Sequence, residues 1–182
     1  MSALDTVSRS KARHATLKVR NCAAIPDILR EMGADPGAVF SEAGVDPALF
    51  SSPDNTLTFA VLDTLVSQCV SATGREDFGL QVGVRTGATG IGLAALVSMH
   101  APTVREALQV IAASLRTSDT GGAAILDQRG GQAFFGYVVI APNIANADQI
   151  VDAAIAIIVS LMRSLCGPAW LPSRVRRASA SD

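Results

Sequence analysis

Residues 123–140, AAILDQRGGQAFFGYVVI, decide the fold class, because the hydrophobic residues elsewhere in the chain recur mainly at helical spacing. Here two runs suited to strands flank Arg129, Gly130 and Gly131, and the two glycines supply the turn of a β-hairpin. The second run is apolar on both faces, which predicts a strand that is central in a sheet or covered on both sides. The sequence therefore predicts a single α+β domain that is mostly helical with a small antiparallel hairpin or sheet.

The segment upstream of the hairpin predicts a corner between two helices. Residues 98–111 read SMHAPTVREALQVI, and Thr103 and Glu106 have the spacing of a capping box at a helix start. Pro102 disfavours helical geometry in the residue before it, so one helix cannot run smoothly through this point. We interpret His100 as part of this turn, and the alternative that it acts as a general base stays open.

Two related tetrapeptides divide the first third of the chain into short helices. They are GADP at residues 33–36 and GVDP at residues 44–47. In each, the glycine can end a helix in the left-handed conformation, the aspartate can cap the next helix, and the proline suits its first position. The pattern predicts helices near residues 26–32 and 36–43, followed by a single turn near residues 47–50.

Two longer helices are also predicted. Thr58 is placed to cap the first, which Gly74 ends, and Asn146 is placed to cap the second, which runs from about Asp148 to Cys166. The second helix is apolar over most of its circumference, which is typical of a helix that is deeply buried or shared with another subunit. We predict that it is buried, with part of one face at a homodimer contact formed by Ile150, Ile157 and Leu161.

The composition indicates one folded domain. Of the 182 residues 49% are hydrophobic and 17% charged, which is enough apolar material to bury a sizeable core. We assign the domain to residues 23–175, and residues 176–182 to a tail. Residues 1–22 form a basic leader that we interpret as a flexible terminus, with a nucleic-acid arm and an organelle-targeting segment as the alternatives.

Charge and cysteine content limit the classes of function. The formal net charge is −1, but basic residues concentrate at both ends, so the middle of the chain is acidic and a poor surface for a phosphate backbone. The three cysteines match no metal or disulfide spacing and no secretory signal is visible, which predicts a cytoplasmic protein. The most apolar run, residues 153–162, is too short to span a membrane.

No pattern in the sequence makes a positive case for an enzyme or a cofactor. Residues 90–95, GIGLAA, match the G-x-G-x-x-A form of a dinucleotide loop, but the residues before them are helical in pattern rather than strand-like. We expect these glycines to allow helices to approach closely or to bend. His14 lies in the leader, and no histidine or cysteine cluster has metal spacing. We therefore predict no catalytic residue, metal ligand or cofactor.

Four segments in a fixed order carry a resemblance to a known family. They are GADPGAVFSEAGVDPALFSSPD, TGREDFGLQVG, GIGLAALVSMHAPTVREALQVI and LCGPAWLP. This ordered set resembles the N-terminal arabinose-binding-type sensor domain of AraC-type bacterial transcriptional regulators, and it covers residues 25–175. Such domains carry a Ser-Pro-Thr-Leu-Arg-Glu-Ala-like segment, which corresponds to APTVREA at residues 101–107. The match supports the structural interpretation of His100, which stands just before that segment.

The resemblance implies a bacterial cytoplasmic protein that recognises a small organic effector and associates as a homodimer. It also implies that DNA is bound only through a C-terminal helix-turn-helix domain. We expect that domain to be missing here, because the sequence ends at Asp182 where the relatives continue. Effector binding would then change the conformation or the dimer contact, and effector and DNA affinities would be coupled reciprocally.

An effector site of this kind is expected to be an apolar pocket with a few polar groups, between the helices and the hairpin. Our candidates for the polar groups are Ser98, His100, Arg116 and Tyr137, and the alternative for each is a surface or structural role. Arg116 would suit an anionic effector. Two other functions remain open, namely a small enzyme centred on His100 and a ligand-free interaction module that uses the helix of residues 148–166.

Overall fold

The computed structural model describes residues 15–177, which contain seven α-helices and two antiparallel two-stranded sheets. The strands are β1 (Thr16–Lys18), β2 (Thr56–Thr58), β3 (Gly122–Arg129) and β4 (Gln132–Val139). The helices are α1 (Ile25–Glu31), α2 (Pro36–Glu42), α3 (Phe59–Thr73), α4 (Phe78–Thr86), α5 (Leu93–Ser98), α6 (Val104–Ser118) and α7 (Ala147–Cys166). Short 3-10 turns occupy Val19–Asn21, Pro47–Ser51 and Gly87–Ile91. The predicted α+β class, mostly helical, is confirmed.

The helix ends in the first third follow the two tetrapeptides. Gly33 and Gly44 have φ values of 78° and 66°, in the left-handed region where glycine is favoured. Asp35 accepts hydrogen bonds from two backbone N–H groups in the first turn of α2, and Asp46 accepts one at the Pro47–Ser51 turn. These local predictions are confirmed. They could be made from sequence because each depends on a backbone angle at one residue or on hydrogen bonds that span only two or three residues.

The corner between α5 and α6 is also confirmed. Thr103 Oγ1 accepts the Glu106 N–H at 3.2 Å, which caps α6. The Glu106 carboxylate lies 3.1 Å from the Thr103 hydroxyl, so the second half of the capping box is a contact between side chains. His100 lies in the turn, exposed, and its N–H donates to the Val97 carbonyl at 3.1 Å.

The start of α7 differs from its prediction. Asn146 precedes the helix but its side chain makes no cap, so that prediction is wrong. Its amide instead donates to Asp63 Oδ1 at 2.9 Å, and its backbone N–H donates to the same atom at 2.7 Å. A charged acceptor on α3 therefore holds the Asn146 side chain in a tertiary contact, which replaces the local cap.

Residues 15–22, which the sequence analysis places in the leader, belong to the fold. β1 pairs with β2, with Thr16 opposite Thr58, and Leu17 and Val19 are buried. Sequence alone gave no signal for this strand, because it is three residues long and its partner is about forty residues away. The rest of the leader, including His14, and the last residues of the tail, 178–182, lie outside the described residues.

The hairpin forms as predicted, but its second strand is not central. Gly130 and Gly131, with φ values of 56° and 78°, make a two-residue turn of the kind that hairpins favour. Within the described residues β4 pairs only with β3, and Phe134 is 48% exposed, so the prediction of a strand covered on both sides is wrong. One face, with Phe135 and Tyr137, packs against the hydrophobic core, while the other faces outward.

The core has two parts that meet at α7. The larger lies among β1, β2 and α1–α4 and includes Phe59, Leu65 and Phe78, and the smaller joins α5, α6 and α7. α7 spans 20 residues and is long and apolar enough, by length and composition alone, to cross a membrane. In this fold it packs against α4 and the hairpin, with most of its residues buried or half-buried, and core packing accounts for its composition.

The face of α7 that was predicted to contact a second subunit is occupied within the chain. Ile150 and Ile157 are 7% and 8% exposed, and Leu161 is fully buried. Their side chains pack against the chain's own helices, and a subunit contact through these three residues stays a prediction. The apolar periodicity that suggested a shared helix is explained by core packing instead.

Candidate ligand-binding site

A cavity of about 100 Å³ lies between α4, α6, α7 and the hairpin. Most of its lining is hydrophobic, with contributions from Val82, Ile111, Leu115, Phe135, Ile157 and Ile158. Its few polar side chains are those of Asn21, Ser114, Ser118, Asp119, Tyr137 and Gln149. The cavity therefore has the composition expected of a small-molecule site, in which polar groups orient a ligand against apolar walls.

Asp119 and Tyr137 form a hydrogen-bonded polar pair in the lining of the cavity. Asp119 is 2% exposed, and its Oδ1 accepts the N–H groups of Gly121 at 3.0 Å and Gly122 at 2.8 Å. Its Oδ2 accepts the Tyr137 hydroxyl at 2.6 Å. Asp119 directly follows α6, and its side chain closes the turn that leads into β3, as aspartate commonly does in turns.

The register of the hairpin brings the tyrosine to this carboxylate. Tyr137 on β4 lies opposite Ala124 on β3, and its ring extends back toward the start of β3. A Cβ on Gly122 would overlap the Tyr137 hydroxyl, so a glycine at this position leaves room for the pair. The site thus depends on the end of α6, the first residues of β3 and the middle of β4.

The electrostatics of the pair are those of a buried acid held by hydrogen bonds. Burial raises the pKa of Asp119, and the hydrogen bonds from Tyr137, Gly121 and Gly122 act in the opposite direction. Burial, followed by the charge of Asp119, raises the pKa of Tyr137, so its hydroxyl stays protonated and donates. Among residues 15–177, no Lys, Arg or His forms an ion pair with Asp119.

Gln149 also lines the cavity, but both ends of its amide are already used. Its Oε1 accepts the Gly79 N–H at 2.7 Å, and its Nε2 donates to the Glu76 carbonyl at 2.5 Å. These bonds join the first turn of α7 to the start of α4. Gln149 therefore holds two walls of the cavity together, and beyond these two bonds its amide keeps one N–H donor and one oxygen lone pair.

The structure places only one of the four predicted polar groups at the cavity. Tyr137 lines it, whereas the exposed His100 and Arg116 do not. Ser98 is buried on α5, and its hydroxyl donates to the Ala95 carbonyl of its own helix at 2.7 Å. A ligand role for Ser98, His100 and Arg116 stays a prediction. Sequence reasoning missed Asp119, because an aspartate before two glycines indicates a turn and says nothing about a cavity.

The buried thiols are poorly suited to covalent chemistry. Burial, followed by the proximity of Cys69, raises the pKa of Cys22 to about 12, and burial raises the pKa of Cys69 to about 12. Cys22 lines the cavity, but at these pKa values its sulfur is a protonated thiol and a weak nucleophile. No group of three or more His, Cys, Asp or Glu residues in the described part of the chain has the geometry of a metal site.

The glycines of the GIGLAA segment serve helix packing. A Cβ on Gly90 would lie 2.6 Å from Thr86 Cγ2 and 3.2 Å from Ile157 Cδ1, so the turn before α5 lies directly against α7. Gly92 has a φ of 71° and marks the bend into α5. The segment begins inside the 3-10 turn Gly87–Ile91, which follows α4, whereas a dinucleotide loop would follow a strand. The expectation that these glycines allow close approach or a bend is confirmed.

Comparison with known protein families gives a match over most of the chain. A family model described as "Arabinose-binding domain of AraC transcription regulator, N-term" matches residues 33–179. The matched range contains α2 to α7, both strands of the hairpin and the Asp119–Tyr137 pair. A search of curated proteins gave no match.

Proposed function

We infer the function from the premise that this chain belongs to the family of N-terminal arabinose-binding domains of AraC transcription regulators. The family supports a ligand-sensing regulatory domain. We propose that the effector site is the cavity between α4, α6, α7 and the hairpin. The observation that carries this proposal is the buried Asp119–Tyr137 pair, which places two polar groups in an otherwise mainly apolar cavity.

The position of the cavity suits a sensor. Its walls come from elements that are far apart in the sequence, so a ligand in contact with all of them favours the arrangement in which they are close together. A ligand shifts a conformational equilibrium only through such a difference in affinity between two states. In the arrangement described, the cavity volume of about 100 Å³ restricts the effector to a small molecule unless the walls move apart.

The family description names arabinose, but the lining of this cavity favours another effector. A pentose carries a hydroxyl group on most of its carbons, and each buried hydroxyl needs a hydrogen-bond partner. The hydrophobic side chains that make up most of the lining offer none. We therefore propose that this chain recognises a smaller and less polar molecule than a sugar.

We further propose that the signal reaches DNA through a helix-turn-helix domain and through self-association as a homodimer, in the bacterial cytoplasm. Membership of a family of transcription-regulator domains supports this proposal. A subunit contact through Ile150, Ile157 and Leu161 stays a prediction, and all three are buried within the chain. Effector and DNA affinities are then coupled, each changing the other by the same factor.

The proposal is tested by filling the cavity. Ala154 lines it from α7, and Ala154→Leu adds three carbon atoms to the cavity. Ala113→Leu is the matched control, because Ala113 is exposed on α6 and its replacement leaves the cavity unchanged. A library of small organic molecules is screened for compounds that raise the melting temperature of the wild-type chain, since binding to the folded state alone stabilises it.

We expect the shifts caused by the active compounds to vanish in Ala154→Leu and to persist in Ala113→Leu. Shifts that survive unchanged in Ala154→Leu place the ligand elsewhere and overturn the assignment of the cavity. The circular dichroism spectra of both variants show whether the fold is retained, so that loss of binding is not confused with unfolding.

A further inference from the structure

We propose that the effector is a small, largely apolar molecule with one primary amino group, whose ammonium donates hydrogen bonds to both the Asp119 carboxylate and the Tyr137 oxygen. This inference rests on the proposed function, because it takes the cavity as the effector site. It goes further by assigning the chemical class of the effector and the two residues that recognise its polar end. Three observations lead to it: the charge of the cavity, the free hydrogen-bonding capacity of the Asp119–Tyr137 pair and the size of the cavity.

The charge of the cavity selects against an anion. Asp119 is the one acidic side chain in the lining, and no Lys, Arg or His from the described part of the chain contributes to it. Arg20 is close in sequence to the lining residue Asn21, but it forms an ion pair with Asp54. A carboxylate ligand would meet a buried negative charge with no cation to offset it, whereas an ammonium would supply the missing counter-ion.

At the Asp119–Tyr137 pair itself, the hydrogen-bonding capacity that remains consists of acceptors. Oδ1 of Asp119 is used by two backbone N–H groups, and Oδ2 accepts the Tyr137 hydroxyl, with one lone pair left. Tyr137 uses its only proton in that bond, so its oxygen can accept from a ligand but not donate. An ammonium has three donors and no acceptor, and therefore complements this pair. An alcohol offers a single donor, and a carboxylate offers none.

The size of the cavity limits the apolar part. A cavity of about 150 Å³ lined by hydrophobic side chains binds benzene, so the cavity of about 100 Å³ here suits a ligand of about five non-hydrogen atoms. n-Butylamine has this size, with a hydrocarbon chain for the hydrophobic walls formed by side chains such as Ile111, Leu115 and Ile157. n-Butanol and propionate have the same number of non-hydrogen atoms and differ in the charge and donors of the polar end.

The experiment compares these three probes on the full chain. Their dissociation constants are measured from the shift of the melting temperature at constant ionic strength and about pH 8, where the amine is protonated. The variant is Asp119→Asn, whose amide oxygen can accept the two glycine N–H groups and whose NH₂ can donate to the Tyr137 oxygen. Asp127→Asn on β3 is the matched control, because Asp127 lies outside the cavity lining.

We expect n-butylamine to bind the wild type most tightly, n-butanol more weakly, and propionate not measurably. Asp119→Asn should weaken n-butylamine binding by about tenfold or more and n-butanol binding by much less, because hydrogen bonds to a charged group are the stronger ones. Asp127→Asn should leave all three constants unchanged.

Two results overturn the inference while leaving the proposed function intact. In the first, propionate or n-butanol binds the wild type more tightly than n-butylamine does, and Ala154→Leu abolishes that binding. The other is amine binding that Asp119→Asn leaves unchanged and Ala154→Leu abolishes. Failure of all three probes to bind the wild type overturns the inference, and the library screen with Ala154→Leu then decides separately whether the cavity is an effector site.

Discussion

Gly79 and Gln149 are in direct contact at the crossing of α4 and α7. The Gly79 N–H donates to the Gln149 side chain at 2.7 Å, and a Cβ on Gly79 would lie 2.1 Å from the Gln149 carbonyl oxygen. One turn further along α4, a Cβ on Gly83 would lie 2.2 Å from the Ala153 carbonyl oxygen. The two backbones therefore touch, and this contact fixes one side of the cavity that α7 borders.

Adding a methyl group at this crossing should destabilise the fold. Because each new Cβ would meet backbone atoms that cannot move independently, we expect Gly79→Ala and Gly83→Ala each to lower the free energy of unfolding by about 3 kcal/mol or more. The measurement is urea denaturation followed by circular dichroism. Gly37→Ala is the control: it lies in α2 with ordinary contact distances, and we expect it to be neutral or to stabilise by about 0.5 kcal/mol.

Replacing the Gln149 amide with an apolar side chain should lower the stability of the fold, because the amide joins α4 to α7. Gln149→Leu keeps a similar volume but leaves the Gly79 N–H and the Glu76 carbonyl without their partner, and we expect a loss of about 2 kcal/mol in stability. Gln132→Leu, at the exposed start of β4, should change stability by less than about 0.5 kcal/mol. Equal effects of the two substitutions would contradict the assigned role of Gln149.

The buried acid should make stability depend on pH in a defined direction. Because the pKa of Asp119 is raised in the folded state, the folded chain holds its proton more tightly than the unfolded chain. The protonated Asp119 therefore contributes to the free energy of unfolding. This contribution is fully present below the ordinary aspartate pKa of about 3.9, and it is lost as the pH rises through the raised pKa of the folded state. The stability of the wild type relative to Asp119→Asn should therefore fall as the pH is increased from acidic to neutral.

Urea denaturation of both proteins across this pH range measures that difference. Asp127→Asn is the informative comparison, because hydrogen bonds from Gln128 and Arg129 lower the pKa of Asp127. The stability of the wild type relative to Asp127→Asn should therefore rise, not fall, as the pH is increased. If the free energy of unfolding of the wild type instead rises relative to that of Asp119→Asn as the pH increases, the carboxylate is better stabilised in the fold than in water, and the prediction is wrong.

Two neighbouring phenylalanines should respond differently to truncation. Phe135 packs against the smaller core cluster with its neighbour Leu126, so Phe135→Ala should cost about 3 kcal/mol. Phe134 is 48% exposed on the other face of β4, and Phe134→Ala should cost less than about 1 kcal/mol. The same denaturation assay measures both, and comparable losses would mean that the outer face of the hairpin is covered by something else.

The sequence predicted the parts of this protein that depend on neighbours along the chain. The Gly33 and Gly44 helix ends, the Thr58 and Thr103 caps and the Gly130–Gly131 turn all appear where expected. Each is set by hydrogen bonds and backbone angles within a few residues. The cap expected from Asn146 failed for the opposite reason, because Asp63, about eighty residues away, offered its side chain a stronger acceptor.

The candidate site was predicted only in outline. The sequence placed an apolar pocket between the helices and the hairpin and proposed Tyr137 among its polar groups, and the structure puts Tyr137 in the lining of such a cavity. It did not indicate Asp119, whose role depends on how the end of α6 meets β4. It also placed Ile150, Ile157 and Leu161 at a subunit contact, because periodicity shows that a helix face is apolar but not what covers it.

The sequence by itself determined the α+β class, most helix ends, the hairpin and the family, since local propensity and an ordered set of segments specify them. Tertiary structure alone decided that β1 joins the fold, that α4 and α7 touch through glycines, and that Asp119 meets Tyr137 with no cation from residues 15–177 beside it. These features join residues from 18 to 70 positions apart. Their proximity is set by how the whole core packs, which no short stretch of sequence specifies.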